Sequence, residues 1–160
     1  MDEDIGYNEI QDWLDTEAIY DYTKITDVES EYNFQVDIDG NYTMHVIKGN
    51  KGGPLILKAG MEFPSDAIAN ILDGQHDERQ LGTLFASVLT NTSGQYHYLN
   101  DDYDVAVELR DIRYIEFDKY IFPDGASQHE LINSLHEMTD SLVFINDIVK
   151  YYNQNLEGQS

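Results

Sequence analysis

The chain has no cysteine, which excludes disulfides, zinc-thiolate sites and thiol catalysis and leaves the compartment open. Basic side chains are scarce, with six Lys and three Arg among 160 residues. A surface so poor in cations repels phosphates, so direct binding of nucleic acid or of an anionic membrane is not expected. No apolar run approaches the roughly eighteen residues that suggest a membrane span, and no basic segment leads into an apolar one at the start, so neither a span nor a signal peptide is expected.

What the chain does hold is acid. Thirty-one Asp and Glu against nine Lys and Arg give a formal charge of -22. The acids are spread from Asp2 to Glu157 without a run of five or six, the pattern of a solvated folded surface and not of an acidic tail. Self-repulsion on this scale opposes compaction in dilute buffer, whereas at molar salt the Debye length falls to about 3 Å and surface charges barely interact. Asp outnumbers Glu nineteen to twelve, a balance that resembles proteins of halophiles that keep salt inside the cell. Fifteen Ile and eleven Asn run against that composition unless the source genome is AT-rich. The rival reading is an acidic protein of ordinary salt that mimics DNA or neutralises a basic partner. Length suggests one domain, and 41% hydrophobic residues with twelve Tyr, six Phe and Trp13 can supply a core. A soluble, cytoplasmic protein is expected.

Residues 8–22 carry Ile10, Trp13, Leu14, Ile19 and Tyr20 at helical spacing, which predicts a first amphipathic helix. Tyr32, Phe34, Val36 and Ile38 then alternate with polar residues, Asp39-Gly40 supplies a turn, and Tyr42, Met44 and Val46 resume the alternation. After a Gly-rich loop over 50–54, Leu55, Leu57, Ala59 and Met61 complete a three-strand meander, each strand with one buried face. Pro64-Ser65-Asp66 opens a short helix with Ile68, Ile71 and Leu72, closed by Gly74. A second begins near Asp77, with Leu81, Leu84, Phe85, Val88 and Leu89 on one stripe and Ser93-Gly94 at its end. Residues 95–100 and 103–110 read as a hairpin around Asn100, Asp101 and Asp102, with Val105, Val107 and Leu109 sharing a face. The stretch 112–122 either extends that strand or crosses to the next helix, and Pro123-Asp124-Gly125 breaks it.

Ser127 with Glu130 predicts a capping box. Leu131, Leu135, Met138, Leu142, Ile145 and Val149 follow at spacings of four, three, four, three and four, an apolar seam about 27 Å long at 1.5 Å per residue. Ile132, Phe144, Ile148 and Tyr152 widen it on one side beyond a coiled-coil seam, which argues for packing on a sheet, with or without a helix neighbour. The fold expected is α+β: an antiparallel sheet of a three-strand meander plus a hairpin, packed against helices, with a long C-terminal helix. Residues 1–26 form a helical N-terminal segment in this reading, 27–154 the single α+β domain and 155–160 a disordered tail.

That order, with Tyr96-His97-Tyr98-Leu99-Asn100-Asp101-Asp102 leading into 103–109 and a capped final helix, resembles the YbjN family and the wider fold of type III secretion chaperones. The resemblance covers roughly residues 27–152 and rests on topology and hydrophobic patterning. It implies a sheet packed on helices, frequent dimers, and protein binding without catalysis; a secretion role is not carried over. A homodimer and an unidentified protein partner are therefore expected, with no cofactor and no metal. Two contact surfaces are candidates: Tyr96, Tyr98 and Tyr103 on the hairpin, where ordinary cross-strand packing competes, and Leu131, Leu135, Met138 and Leu142 on the final helix, where core packing competes.

Candidate chemistry fails on spacing. His129-Glu130 and His136-Glu137 invite comparison with a zincin, but the two His stand seven apart, and H-E-x-x-H needs four. His129, Asn133, His136 and Asp140 share one stripe, which exposed polar residues explain. Asp37, Asp39 and Asn41 imitate a calcium loop, yet Gly40 comes too early and Lys48 occupies the twelfth position. Asp101, Asp102 and Asp104 read as solvated turn carboxylates or a weak cation site. Gly49, Gly52 and Gly53 lack the G-K-[ST] ending of a phosphate cradle; Lys48 and Lys51 beside them form either part of a flexible connection or a positive spot that docks an acidic segment. No G-x-S-x-G occurs, and Thr92-Ser93-Gly94 ends a helix. A hydrolase would need some of His45, His76, His97, His129 or His136 to meet carboxylates in a pocket.

Overall fold

The computed structural model describes residues 4–17, 21–38, 42–74, 77–90 and 94–157. Its elements are α1 (Tyr7–Glu17), β1 (Asp21–Ile25), β2 (Tyr32–Ile38), β3 (Tyr42–Lys48), β4 (Leu55–Glu62), α2 (Ala67–Asp73), α3 (Glu78–Leu89), β5 (Gln95–Leu99), β6 (Tyr114–Ile121) and α4 (Gln128–Glu157). The strands form one antiparallel sheet in the order β1-β2-β3-β4-β6-β5, so the fold is α+β as expected. The chain divides into two compact units, residues 1–60 with 117–139 and residues 61–116 with 140–160.

In the first unit the alternation of apolar residues becomes one buried face. Tyr32, Phe34 and Val36 of β2, Met44 and Val46 of β3, and Leu55, Leu57 and Ala59 of β4 are all buried, and register places Phe34 opposite Val46 and Val46 opposite Leu57. Ile10 and Leu14 of α1 and Leu131, Leu135 and Met138 of α4 are buried as well. Tyr7 stacks on Phe34 with centroids 5.0 Å apart, and the Tyr32 hydroxyl donates to the Ile5 carbonyl at 2.8 Å.

The first helix is shorter than its apolar spacing predicts. It ends at Glu17, and Asp21–Ile25, expected to be helical at its start, is a strand paired antiparallel with β2 from Asp21↔Asp37 to Ile25↔Asn33. Tyr22, Thr23 and Ile25 are aromatic or β-branched residues that suit a pleated edge, and exposed Lys24 is the kind of charge that blunts an edge strand. Ile19 and Tyr20, the Asp39-Gly40 turn and Asn41 lie outside the described residues.

In the second unit Met61 and Phe63 continue the buried face of β4 and its exit, and Phe63 stacks parallel to Phe85 of α3 at 6.3 Å. The Asp77 carboxylate caps α3 by accepting from the Arg79 N–H at 2.9 Å. Leu142, Ile145 and Val149 carry the buried seam of α4 onward. That helix runs to Glu157, three residues into the stretch expected to be a disordered tail.

The predicted second hairpin is corrected. Only β5 forms as expected; 103–110 is not a strand. The Asn100 side chain accepts from the N–H groups of Asp102 and Asp104 at 2.9 and 3.0 Å, and Tyr103 adopts a left-handed φ of 63°, which breaks any extended run. Val105 makes a single bridge to Leu99, and a 3-10 turn at Leu109–Asp111 follows. The strand beside β5 is instead β6, drawn from the stretch left open between strand and crossover.

Candidate protein-binding surfaces

Neither of the two expected contact surfaces forms as a single exposed patch. Leu131, Leu135, Met138 and Leu142 are all buried, so the seam is core and a dimer contact through it has no exposed surface to use. The tyrosines do not form one patch. Tyr96 and Tyr98 lie 5.4 Å apart with tilted rings and are half-buried, and burial pushes the Tyr98 hydroxyl well above the ordinary phenol range. Tyr103 turns away to stack on Tyr114 at 4.4 Å and remains 63% exposed.

Beyond Tyr103 the failed strand leaves apolar side chains in water. Val105 is 71% and Val107 94% exposed, so the two valines expected to share a strand face stand in water. Asp101, Asp102, Asp104 and Glu108 of the same segment are exposed as well, so this strip of loop carries both acids and apolar side chains in water. The backbone holds that strip against β5: the Ala106 N–H donates to the Tyr98 carbonyl at 2.9 Å, and the Asn100 N–H to the Asp104 carbonyl at 2.8 Å. Alternation alone suggests a hairpin strand here and does not say that its valines are exposed.

A second apolar surface lies between α3 and α4. Leu84 faces Phe144, Asp147, Ile148, Tyr151 and Tyr152 around a groove of about 260 Å³. Phe144 is 55% and Tyr151 62% exposed. Phe144, Ile148 and Tyr152, expected to widen the seam toward a sheet or a helix neighbour, line this groove beside α3.

The polar clusters give no convergent chemistry. Among the described residues, no three His, Asp or Glu side chains are grouped so as to hold a metal ion. His45 lies near Asn33, with Nδ1 3.2 Å from Oδ1, and burial together with the Lys58 charge lowers its pKa. His129 is exposed, and His76 lies outside the described residues, as do Thr92 and Ser93. Lys119 and Ser134 approach to 2.7 Å, the contact of a Ser-Lys nucleophile pair. Both are buried, Lys119 also pairs with Glu130 at 3.1 Å, and the Ser134 hydroxyl donates to the Glu130 carbonyl at 2.6 Å, so this group ties α4 to β6. The capping box is thereby half made: Ser127 Oγ accepts from the Glu130 N–H at 3.0 Å, while the Glu130 carboxylate is drawn to Lys119. A polar cavity of about 210 Å³ touches Asp66, Asn100, Asp102, Arg110 and Arg113. Its guanidinium groups are engaged by Asp73 at 2.8 Å and Glu62 at 2.9 Å.

The Gly-rich loop does hold an acidic segment, one of the chain's own. Asp4 Oδ1 accepts from the Lys48 ammonium, from the Gly52 N–H at 2.9 Å and from the Ile5 N–H at 3.1 Å. Gly52 supplies the left-handed φ of 77° at this turn, and Lys48 also donates to the Gly53 carbonyl at 2.9 Å. Lys51 stays exposed.

No helix among the described residues is long and apolar enough to cross a membrane. No protein-family model and no curated protein matches the chain. A solved structure is similar: an uncharacterized protein from Methanothermobacter thermautotrophicus, with a TM-score of 0.69 over 90% of this chain and 96% of that one at 14% identity. At that identity the likeness shows the fold alone, so the chain shares an α+β architecture with that archaeal protein.

Proposed function

We propose that the chain is a non-enzymatic protein-binding module of a salt-rich cytoplasm, close in kind to the YbjN and type III secretion chaperone-like proteins that its element order resembles. The observation that supports this most is the strip of Tyr103, Val105 and Val107 standing in water among four exposed acids. Its occupant is an extended segment of another protein in which apolar residues alternate with Lys or Arg. At molar salt the Debye length is about 3 Å, so only ion pairs in contact survive. The valines then supply affinity, on the order of 1.5 kcal/mol for each one fully covered, and the acids select register and sign.

The test is fluorescence anisotropy with a labelled peptide of alternating Val and Lys, at the lowest salt that keeps the circular dichroism spectrum folded. Binding weakened about ten-fold by Val105→Ser with Val107→Ser supports the reading. No binding, or equal binding of a poly-lysine peptide that ignores the two valines, overturns it; the latter outcome favours an acidic mimic. A folded spectrum at about 0.1 M salt, unchanged at 3 M, removes the salt-adapted part of the proposal.

A further inference from the structure

We infer that the outer edge of β5 holds the extended basic segment as an added antiparallel strand. β5 is the last strand of the sheet, with β6 on its inner side. Backbone groups of alternate residues in a strand point to the same edge. The Leu99 carbonyl accepts from the Arg113 N–H at 2.7 Å, just ahead of β6, so Gln95, His97 and Leu99 turn their amides inward. The Tyr98 carbonyl and the Asn100 N–H bond instead to Ala106 and Asp104, so Tyr96, Tyr98 and Asn100 turn theirs outward. Residues 104–106 cover only the Asn100 end of that edge. Beyond Ala106 the chain leaves for α3, where the Leu109 side chain lies 3.9 Å from the place a Cβ on Gly82 would take. Among the described residues, no backbone bond reaches the Tyr96 N–H, the Tyr96 carbonyl or the Tyr98 N–H from the outer side.

Those groups are a template for strand addition, in which main-chain bonds give affinity and alternate side chains give selectivity. An antiparallel strand places one residue opposite Tyr96, where both N–H···O bonds are exchanged, and another opposite Tyr98, whose N–H it accepts. Opposed residues share a face, so both stand beside the Tyr96 and Tyr98 rings, which lie 5.4 Å apart. Valine suits those two positions, because β-branched and aromatic side chains pair well across strands. The residues between them fall on the other face, with exposed Gln95 and His97, and there Lys or Arg stays in water. The adjoining turn offers such a segment Asp101, Asp102 and Asp104, all exposed and of opposite sign. β5 of a second copy, Gln95–Leu99, brings no Lys or Arg to meet them, and its chain carries a charge of -22 that opposes approach.

This mode rests on the peptide-binding reading and has a readout of its own. Fluorescence anisotropy on the full chain compares the alternating Val-Lys peptide with two N-methylated forms, at a salt that keeps the chain folded. Methylating the Val amides, which face β5, is expected to weaken binding about ten-fold or more, whereas methylating the Lys amides, which face solvent, leaves it within about two-fold. On the protein side, Tyr96→Pro removes an outward N–H, so the circular dichroism spectrum is expected to stay folded while peptide binding falls. His97→Pro, whose N–H faces β6, is expected to lower Tm far more. Equal effects of the two methylated peptides overturn strand addition, while dependence on Val105 and Val107 would still uphold the peptide-binding reading. No binding of the unmethylated peptide overturns both. Self-association of the chain that the peptide displaces makes the occupant a second copy and overturns the choice of partner.

Discussion

Asp4 and Lys48 form an ion pair across forty-four positions of sequence, with the Lys48 side chain fully buried and the Asp4 carboxylate at the surface end. Removing the acid leaves a buried ammonium beside the Gly53 carbonyl, whereas removing the lysine leaves an acid that water can reach. Asp4→Asn is therefore expected to lower Tm more than Lys48→Met, and the double variant to recover part of the loss. The Lys48 hydrogen bond, with help from the Gly52 N–H, holds the Asp4 carboxyl below the usual carboxylate range. A depressed folded pKa gives stability that is complete above the unfolded value of about 3.9 and is lost as pH falls through the folded one. Urea midpoints between about pH 5 and pH 2 should fall further for the wild type than for Asp4→Asn.

The two apolar stripes of α4 should separate in a denaturation experiment. Leu135 is wholly buried, so Leu135→Ala is expected to cost about 3 kcal/mol through lost burial and the cavity left behind. Phe144→Ser, at a half-exposed position, is expected to stay within about 1 kcal/mol. Urea unfolding at fixed salt reads both, and a large loss for Phe144→Ser would make that ring part of the core.

His45 offers a pH readout on the sheet. Burial, and then the charge of Lys58, lowers its pKa from the usual 6.5. The unfolded chain binds the proton more readily, so this group's stability is complete above about pH 6.5 and is lost as pH falls through the folded value. In NMR titration His45 should protonate below 6.5. Lys58→Met should raise its midpoint part of the way, leaving the share due to burial.

Much of the fold was legible because period-two alternation forces a register. Once Phe34, Val46 and Leu57 must share a face, a one-residue slip would turn every apolar side chain outward. The seam of α4 was legible for the same kind of reason at period 3.6. β1 was not, because its five residues follow a helix without Gly or Pro between them, and only pairing with β2 distinguishes them. The reciprocal bond of the capping box was lost to Lys119, which lies on another element and has no local signal. The candidate site was legible in Tyr103 alone. Alternation predicts which side chains share a side, yet it does not say whether anything covers that side, and Val105 and Val107 mark the difference.

The strand order has a consequence for how the chain is made. β5 is synthesised before β6, but in the finished sheet β6 lies between it and β4. At about 5–20 residues per second, the nascent chain carries β5 for about one to four seconds before its neighbour exists. During that interval the amides of β5 are open to any passing strand. Before β6 is made, the turn after β5 adds Asp101, Asp102 and Asp104, charge of the kind that discourages pairing at an open strand edge.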